Sequence, residues 1–184
     1  TFANELTIEE IEKISKTLGP NIQNINLTGG EPFARKDIDK IVNAYYSNTE
    51  IRSIFLTTNG SLPDRVKNLC EQKTRDFQER KLFLQISIDG MRDKHDRIRK
   101  INGLFDNAIA SYRLANEFDC NIEASIAITV SHENHQDVAE LYQYLTRDLN
   151  IKRIALNIVR DEGVFAIPTE HKARILASYK KISE

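Results

Sequence analysis

The sequence predicts an α/β fold of parallel strands, and three observations support that prediction. Five short apolar runs alternate with amphipathic stretches along the 184 residues. The connections between them are short, and repeated βα units with short connections favour parallel strands joined by right-handed crossovers. Small polar residues follow three of the apolar runs. Such residues are typical of a site at the carboxyl ends of parallel strands.

The predicted elements follow from the positions of apolar and capping residues. A first helix is predicted over residues 6–18, because Thr7 followed by Glu10 is a capping-box pattern at a helix start. The five strands are predicted to start near Asn24, Ile51, Leu82, Ile122 and Arg153. Further helices are predicted over residues 36–47, 104–118 and 169–184.

Apolar residues at helical spacing mark the packing faces of two of these helices. In the helix over 36–47 they are Ile38, Ile41, Val42 and Tyr45. In the helix over 104–118 they are Phe105, Ile109, Tyr112 and Leu114. Residues 73–81 are interpreted as a polar connection before the third strand, and the mixed-charge run 92–100 as a solvated loop.

Composition agrees with one globular domain over residues 1–184. The chain is 40% hydrophobic, and a domain of this size buries roughly 70% of the surface that its unfolded chain exposes. A net charge of −1 gives no basic footprint for nucleic acid. No apolar run approaches the ~18 residues needed to cross a membrane. The two cysteines are distant in sequence, which indicates a reducing compartment, so we expect a cytoplasmic protein.

The stretch 28–32, Thr28-Gly29-Gly30-Glu31-Pro32, follows the first predicted strand and has the features of a backbone binding site. Paired glycines let a ligand approach the main chain, and Pro32 has no N–H of its own. A turn that is rich in glycine for steric reasons alone is an equally good interpretation of this stretch in isolation. The next two strands, however, also end in small polar residues, Thr58-Asn59-Gly60 and Ser87-Ile88-Asp89-Gly90.

Together with His95-Asp96-Arg97-Ile98-Arg99, these motifs resemble the core of a radical S-adenosylmethionine (radical SAM) enzyme. The resemblance spans most of residues 5–160. It implies a partial (β/α)6 TIM-like barrel of parallel strands, of which this chain would lack the first strand. In such enzymes a reduced 4Fe-4S cluster cleaves S-adenosylmethionine to a 5′-deoxyadenosyl radical, which abstracts hydrogen from a substrate.

One departure from the family is large. Its cluster is held by three cysteines spaced Cys-x-x-x-Cys-x-x-Cys, whereas this chain has only Cys70 and Cys120, which match no cluster, zinc or thioredoxin spacing. We therefore expect the cluster loop to precede Thr1 and a further extension to follow the chain. By itself, the chain is expected to bind S-adenosylmethionine weakly and to be inactive.

The resemblance also implies roles for individual residues. The methionine end of the cofactor would be bound by main-chain atoms of Gly29 and Gly30 with help from Glu31, Pro32, Thr58 and Asn59. The ribose would be bound by Ser87 and Asp89, and the cofactor carboxylate by Arg99, with Arg97 as its rival. The adenine would pack against Val130 with Asn134 as a polar neighbour, Leu156 or Asn157 would line the cofactor site, and Arg160 is a candidate for contacting substrate.

Each of these residues also has a structural interpretation. Glu31 can brace its own loop, Asp89 can cap the turn at Gly90, and Asn59-Gly60 is a tight-turn signature. His132 and His135 fit no metal triad and are expected to be exposed loop residues.

The expected substrate class and electron donor follow from the resemblance alone. A small-molecule or peptide substrate and an electron donor such as flavodoxin or ferredoxin are expected. Two alternatives stay open at this point, namely a barrel without a cluster that acts as a binding or scaffold module, and a βα enzyme without iron.

Overall fold

The computed structural model describes residues 5–118, 120–159, 167 and 169–183. Within this part of the chain, five strands form one sheet in the order of the sequence. The strands are β1 (Asn24–Leu27), β2 (Ser53–Thr58), β3 (Lys81–Ser87), β4 (Ile122–Val130) and β5 (Ile154–Ile158). The sheet is parallel, as predicted, and the five strand starts lie within two residues of the predicted ones.

Helices separate the strands along the chain. The α-helices are α1 (Ile8–Thr17), α2 (Ile38–Asn48), α3 (Pro63–Asp76), α4 (Arg92–Arg99), α5 (Leu104–Asn116), α6 (Val138–Gln143) and α7 (Thr169–Ser183). A 3-10 turn, Pro32–Ala34, follows β1, and a π-helical turn, Tyr144–Asp148, continues α6. No helix among these is long and apolar enough to span a bilayer, within the described residues.

The start of α1 has the local chemistry that the sequence predicts. The Thr7 hydroxyl accepts a hydrogen bond from the Glu10 N–H at 3.2 Å, and the Glu10 carboxylate accepts one from the Thr7 N–H at 2.8 Å. Both N–H groups would otherwise lack a partner at a helix start. The capping box therefore fixes where the helix begins.

Burial alternates along most of β2 and along β3. Ile54, Leu56 and Leu84 are fully buried, whereas Phe55 between them is 39% exposed and stacks on Phe83 with 4.4 Å between ring centroids. Successive side chains of a strand point to opposite faces of the sheet. One face therefore carries the aliphatic core, and the other is partly open and carries aromatic and polar side chains.

The chain divides into two compact units, each of which is described here by itself. The first comprises Thr1–Thr58, Leu62–Gln85 and Arg113–Ala124, and the second comprises Asn59–Ser61, Ile86–Tyr112 and Ser125–Glu184.

Tyr46 of α2 is buried, with 2% of its surface exposed, and the predicted Tyr45 is half-buried. Two predictions about individual segments are wrong. The polar connection predicted over residues 73–81 is wrong for its first residues, because α3 continues to Asp76 and Lys73 is buried. Run 92–100 is not a loop, since most of it forms α4. These positions depend on tertiary packing, which overrides local polarity.

Candidate functional site

In the first unit, the loop after β1 contains two glycines, Gly29 and Gly30, with open space around their Cα atoms. Gly29 has φ +147°, a conformation that side chains rarely adopt, and a Cβ placed on Gly29 or Gly30 would meet no atom within 4 Å. Among the residues that the structure describes, none donates a hydrogen bond to the carbonyl oxygen of either glycine. Carbonyl oxygens that accept no bond within the described residues are able to accept one from the ammonium group of an amino-acid-like ligand.

Glu31 braces this loop. Its Oε1 atom accepts hydrogen bonds from the Phe33 N–H at 3.1 Å and from the Thr58 hydroxyl at 2.6 Å. The first bond caps the 3-10 turn that begins at Pro32, and the second ties the loop to the end of β2. The structural interpretation of Glu31 therefore fits the geometry, while the predicted cofactor contacts of Glu31, Pro32 and Thr58 stay predictions.

In the second unit, residues 59–61 form a tight turn. The Asn59 Oδ1 atom accepts a hydrogen bond from the Ser61 N–H at 2.8 Å. Gly60 has φ +72°, and its carbonyl accepts a hydrogen bond from the Ser111 hydroxyl at 2.8 Å. The turn interpretation of Asn59-Gly60 agrees with this geometry, and the cofactor role of Asn59 stays a prediction.

The end of β3 carries a polar network in the second unit. Ser87 is half-buried, and its hydroxyl has no hydrogen-bond partner in the described part of the chain. Asp89 is 6% exposed, and its carboxylate accepts hydrogen bonds from the Arg99 guanidinium and from the Thr129 N–H. Two residues predicted for the cofactor, Asp89 and Arg99, are thus paired with each other.

His95 is a member of this network that sequence reasoning missed. It is fully buried, and its Nδ1 atom accepts a hydrogen bond from the Asp89 N–H at 3.1 Å. Burial lowers the pKa of His95 to about 4, although Asp89 opposes that shift. A neutral imidazole can accept at one nitrogen. The four-residue spacing of His95 and Arg99 on α4 places them on one helix face and is the signal that links them.

The predicted adenine residues lie at the end of β4, where Val130 is the last strand residue, and in the segment after it, which contains Asn134. Val130 is fully buried, and its carbonyl accepts a hydrogen bond from the Val159 N–H at 3.0 Å. Asn134 is 1% exposed, and its amide is bonded to backbone atoms. Leu156 is half-buried, Asn157 and Arg97 are exposed, and Arg160 lies outside the described residues.

The histidines after β4 differ from each other. His132 is exposed, as expected, but His135 is 7% exposed, so its prediction as an exposed residue is wrong. Its ring lies 6.2 Å from that of His171 on α7, centroid to centroid. Burial, followed by the neighbouring charges of His171 and Arg174, lowers the pKa of His135.

The described residues contain no group of three His, Cys, Asp or Glu side chains that fits a metal ion. Cys70 is buried, and burial raises the pKa of its thiol to about 12, while Cys120 is half-buried. A thiol must lose its proton to bind iron. This part of the chain therefore does not fit a 4Fe-4S cluster, and the predicted contact of Gly29 and Gly30 with the amino group of S-adenosylmethionine stays a prediction.

A cavity of about 650 Å³ opens elsewhere in the first unit, near the first residues of β1, β2 and β3. Asn24, Ser53 and Lys81 are among its lining residues, and Gly29 and Gly30 are not. The cavity therefore lies away from the glycine loop.

A protein-family model described as "Radical SAM superfamily" matches residues 2–145. The chain belongs to this superfamily. It is 29% identical over 149 residues to the Fe-coproporphyrin III synthase of Methanosarcina barkeri, covering 80% of this chain and 35% of that protein. It is also 29% identical to a GTP 3′,8-cyclase of Clostridium perfringens, covering 72% of this chain and 39% of the cyclase. The chain thus spans well under half the length of these curated relatives.

A solved structure of histidine-tagged anSMEcpe with bound AdoMet has the same fold. It matches with a TM-score of 0.70 and 18% identity, over 98% of this chain and 49% of that one. The predicted α/β class is confirmed, as is the prediction of a radical SAM core. The cofactors of the superfamily are S-adenosylmethionine and a 4Fe-4S cluster, as predicted. The scaffold module and the enzyme without iron are not favoured.

Proposed function

We propose that the protein containing this chain is a radical SAM enzyme and that the chain forms most of its core domain. The observation that carries the proposal is the pair Gly29 and Gly30 in a chain of this superfamily, since their carbonyl oxygens accept no hydrogen bond from the described residues and a Cβ on either would meet no atom within 4 Å. A 4Fe-4S cluster, when bound by the whole protein, would supply the electron with which this superfamily cleaves S-adenosylmethionine so that hydrogen can be removed from a substrate.

The residues of this chain bind and orient the cofactor. The carbonyls of Gly29 and Gly30 accept hydrogen bonds from the ammonium, and Glu31 and Pro32 hold the loop in place. Ser87 fits the ribose because its hydroxyl has no other partner in the described residues. The same proposal includes the remaining assignments, which are Thr58 and Asn59 to the methionine end, Asp89 to the ribose, Arg99 to the carboxylate, Val130 and Asn134 to the adenine, and Leu156 to the lining of the cofactor site.

The cluster ligands are proposed to lie outside residues 1–184. Support comes from the two cysteines of the chain, neither of which is in a cluster motif, and from the much longer relatives. We further propose a cytoplasmic enzyme with a small-molecule or peptide substrate and an electron donor such as flavodoxin or ferredoxin. In this proposal residues 1–184 belong to a single core domain.

A glycine substitution tests the carbonyl site. The variant Gly30→Val is expected to fold normally, because Gly30 has no positive φ and faces open space. Its side chain would occupy the space proposed for the ammonium. Equilibrium dialysis with labelled S-adenosylmethionine on the reconstituted full-length protein should show a loss of affinity of about tenfold or more, the effect of losing a hydrogen bond to a charged group.

The matched control is Gly19→Val, the same chemical change at another glycine with no neighbour within 4 Å. It should bind the cofactor as the unmodified protein does. Equal affinities for Gly30→Val and Gly19→Val would contradict the proposed site.

A further inference from the structure

The carboxylate of Asp89 is committed to protein donors. Its Oδ2 atom accepts hydrogen bonds from Arg99 Nε at 3.0 Å and from Arg99 Nη2, and its Oδ1 atom accepts one from the Thr129 N–H at 3.0 Å. Three donors leave little acceptor capacity for a ligand. The carboxylate therefore holds Arg99 and keeps about one acceptor position for the ribose contact proposed above.

Arg99 has donors left over. Its side chain is 36% exposed, compared with 9% for that of Asp89. Nε and Nη2 face Asp89, whereas Nη1 donates to no group in the described residues. A guanidinium is a rigid planar fork, so fixing one edge also fixes the direction of the remaining N–H groups. Those groups are available to a second anion.

The backbone of Asp89 is fixed on both sides. Its N–H donates to the buried Nδ1 atom of His95, and its carbonyl accepts a hydrogen bond from Asn134 Nδ2 at 2.9 Å. The same amide group donates to the Thr129 carbonyl at 2.8 Å. Because His95 accepts at Nδ1, its ring proton is on Nε2, which is buried without a partner in the described residues. His95 can play this part only while it is neutral.

We propose that Asp89 and His95 are positioning residues, which hold the Arg99 guanidinium in place for the carboxylate of S-adenosylmethionine before the cofactor binds. This inference rests on the proposed function, in which Arg99 meets that carboxylate. A cation fixed in advance loses less conformational freedom on binding than a mobile one, so affinity is gained without a further contact.

Discrimination between two ligands tests the proposal. Decarboxylated S-adenosylmethionine lacks only the carboxylate that Arg99 would meet. The ratio of its Kd to that of S-adenosylmethionine, measured on the reconstituted full-length protein, reports what the carboxylate contributes. In Asp89→Asn this ratio should fall about tenfold relative to the unmodified protein, the effect of weakening one charge-assisted contact. General damage to the fold would weaken both ligands alike and leave the ratio unchanged.

Matched variants accompany this measurement. Asp93→Asn makes the same chemical change at an exposed acid of α4 and should leave the ratio unchanged. His95→Leu should lower the ratio of Kd values as Asp89→Asn does. His95→Asn keeps an acceptor near the position of Nδ1, so its ratio should be close to that of the unmodified protein. If Asp89→Asn fails to fold, the comparison of His95→Leu with His95→Asn tests the positioning role.

A second readout needs no cofactor. In the 15N-labelled full-length protein at pH 6, the Arg99 Nε–H signal should exchange slowly with water and His95 should be the Nε2-protonated tautomer. Rapid Arg99 exchange in the unmodified chain, or an unchanged ratio in both Asp89→Asn and His95→Leu, would overturn the positioning role. A full-length protein that binds neither ligand would instead overturn the proposed function, and with it the ligand assigned here.

Discussion

Gly60 shows how one residue can be required by both conformation and space. Its φ is +72°, and a Cβ at this position would lie 2.8 Å from the Cα atom of Ala108. Gly103 has the same φ of +72°, but a Cβ there would meet no atom within 4 Å. The two glycines therefore separate the cost of backbone strain from the cost of a steric clash.

Alanine at these two positions should destabilise the protein to different extents. Gly103→Ala should lower the free energy of unfolding by about 1–2 kcal/mol, which is the cost of the left-handed conformation. Gly60→Ala should lower it by about 3 kcal/mol or more, because overpacking against Ala108 adds to that cost. Urea unfolding of the two variants would measure both values. Equal losses would show that the backbone near Ala108 relaxes without cost.

At the same scale, the sequence showed which motif was present more clearly than it showed the role of each residue. The motif at Gly29 and Gly30 was recognisable because glycine pairs have a direct backbone meaning. The role of His95 was not, because a buried histidine in a mixed-charge run has no local signature. Only the fold brings its ring to the Asp89 N–H.

At the scale of elements, strands and capped helices were predictable and the depth of burial was not. The start of α1 followed from its capping box, a local interaction. The choice between Tyr45 and Tyr46 as the buried ring of α2 depends on a contact with β3, since the Tyr46 hydroxyl donates to the Lys81 carbonyl at 2.7 Å. No pattern within a single helix contains that information.

Removing one hydroxyl from each tyrosine of α2 would test this link between elements. Tyr46→Phe should lower the free energy of unfolding by about 1 kcal/mol, because the Lys81 carbonyl loses its partner hydroxyl. Tyr45→Phe, the same change at the half-buried neighbour, should have an effect within about 0.5 kcal/mol. Guanidinium unfolding followed by circular dichroism would compare them. A larger loss for Tyr45→Phe would contradict the assignment of Tyr46 to the core.

At the scale of the whole molecule, the fold class and the family were predictable because several motifs occur in the right order along the chain. The α/β fold and the radical SAM family match agree with that order. The cluster ligands were not found among the described residues, and neither cysteine lies in a cluster motif. Substrate choice depends on regions that the shared core does not specify.

Cofactor cleavage by the full-length protein tests the central claim most directly. The protein would be reconstituted anaerobically with iron and sulfide, reduced with dithionite and supplied with S-adenosylmethionine, and 5′-deoxyadenosine would be measured by chromatography. We expect a brown protein that forms 5′-deoxyadenosine, with Gly30→Val forming much less and Gly19→Val forming as much. A colourless protein that never cleaves S-adenosylmethionine would contradict the assignment.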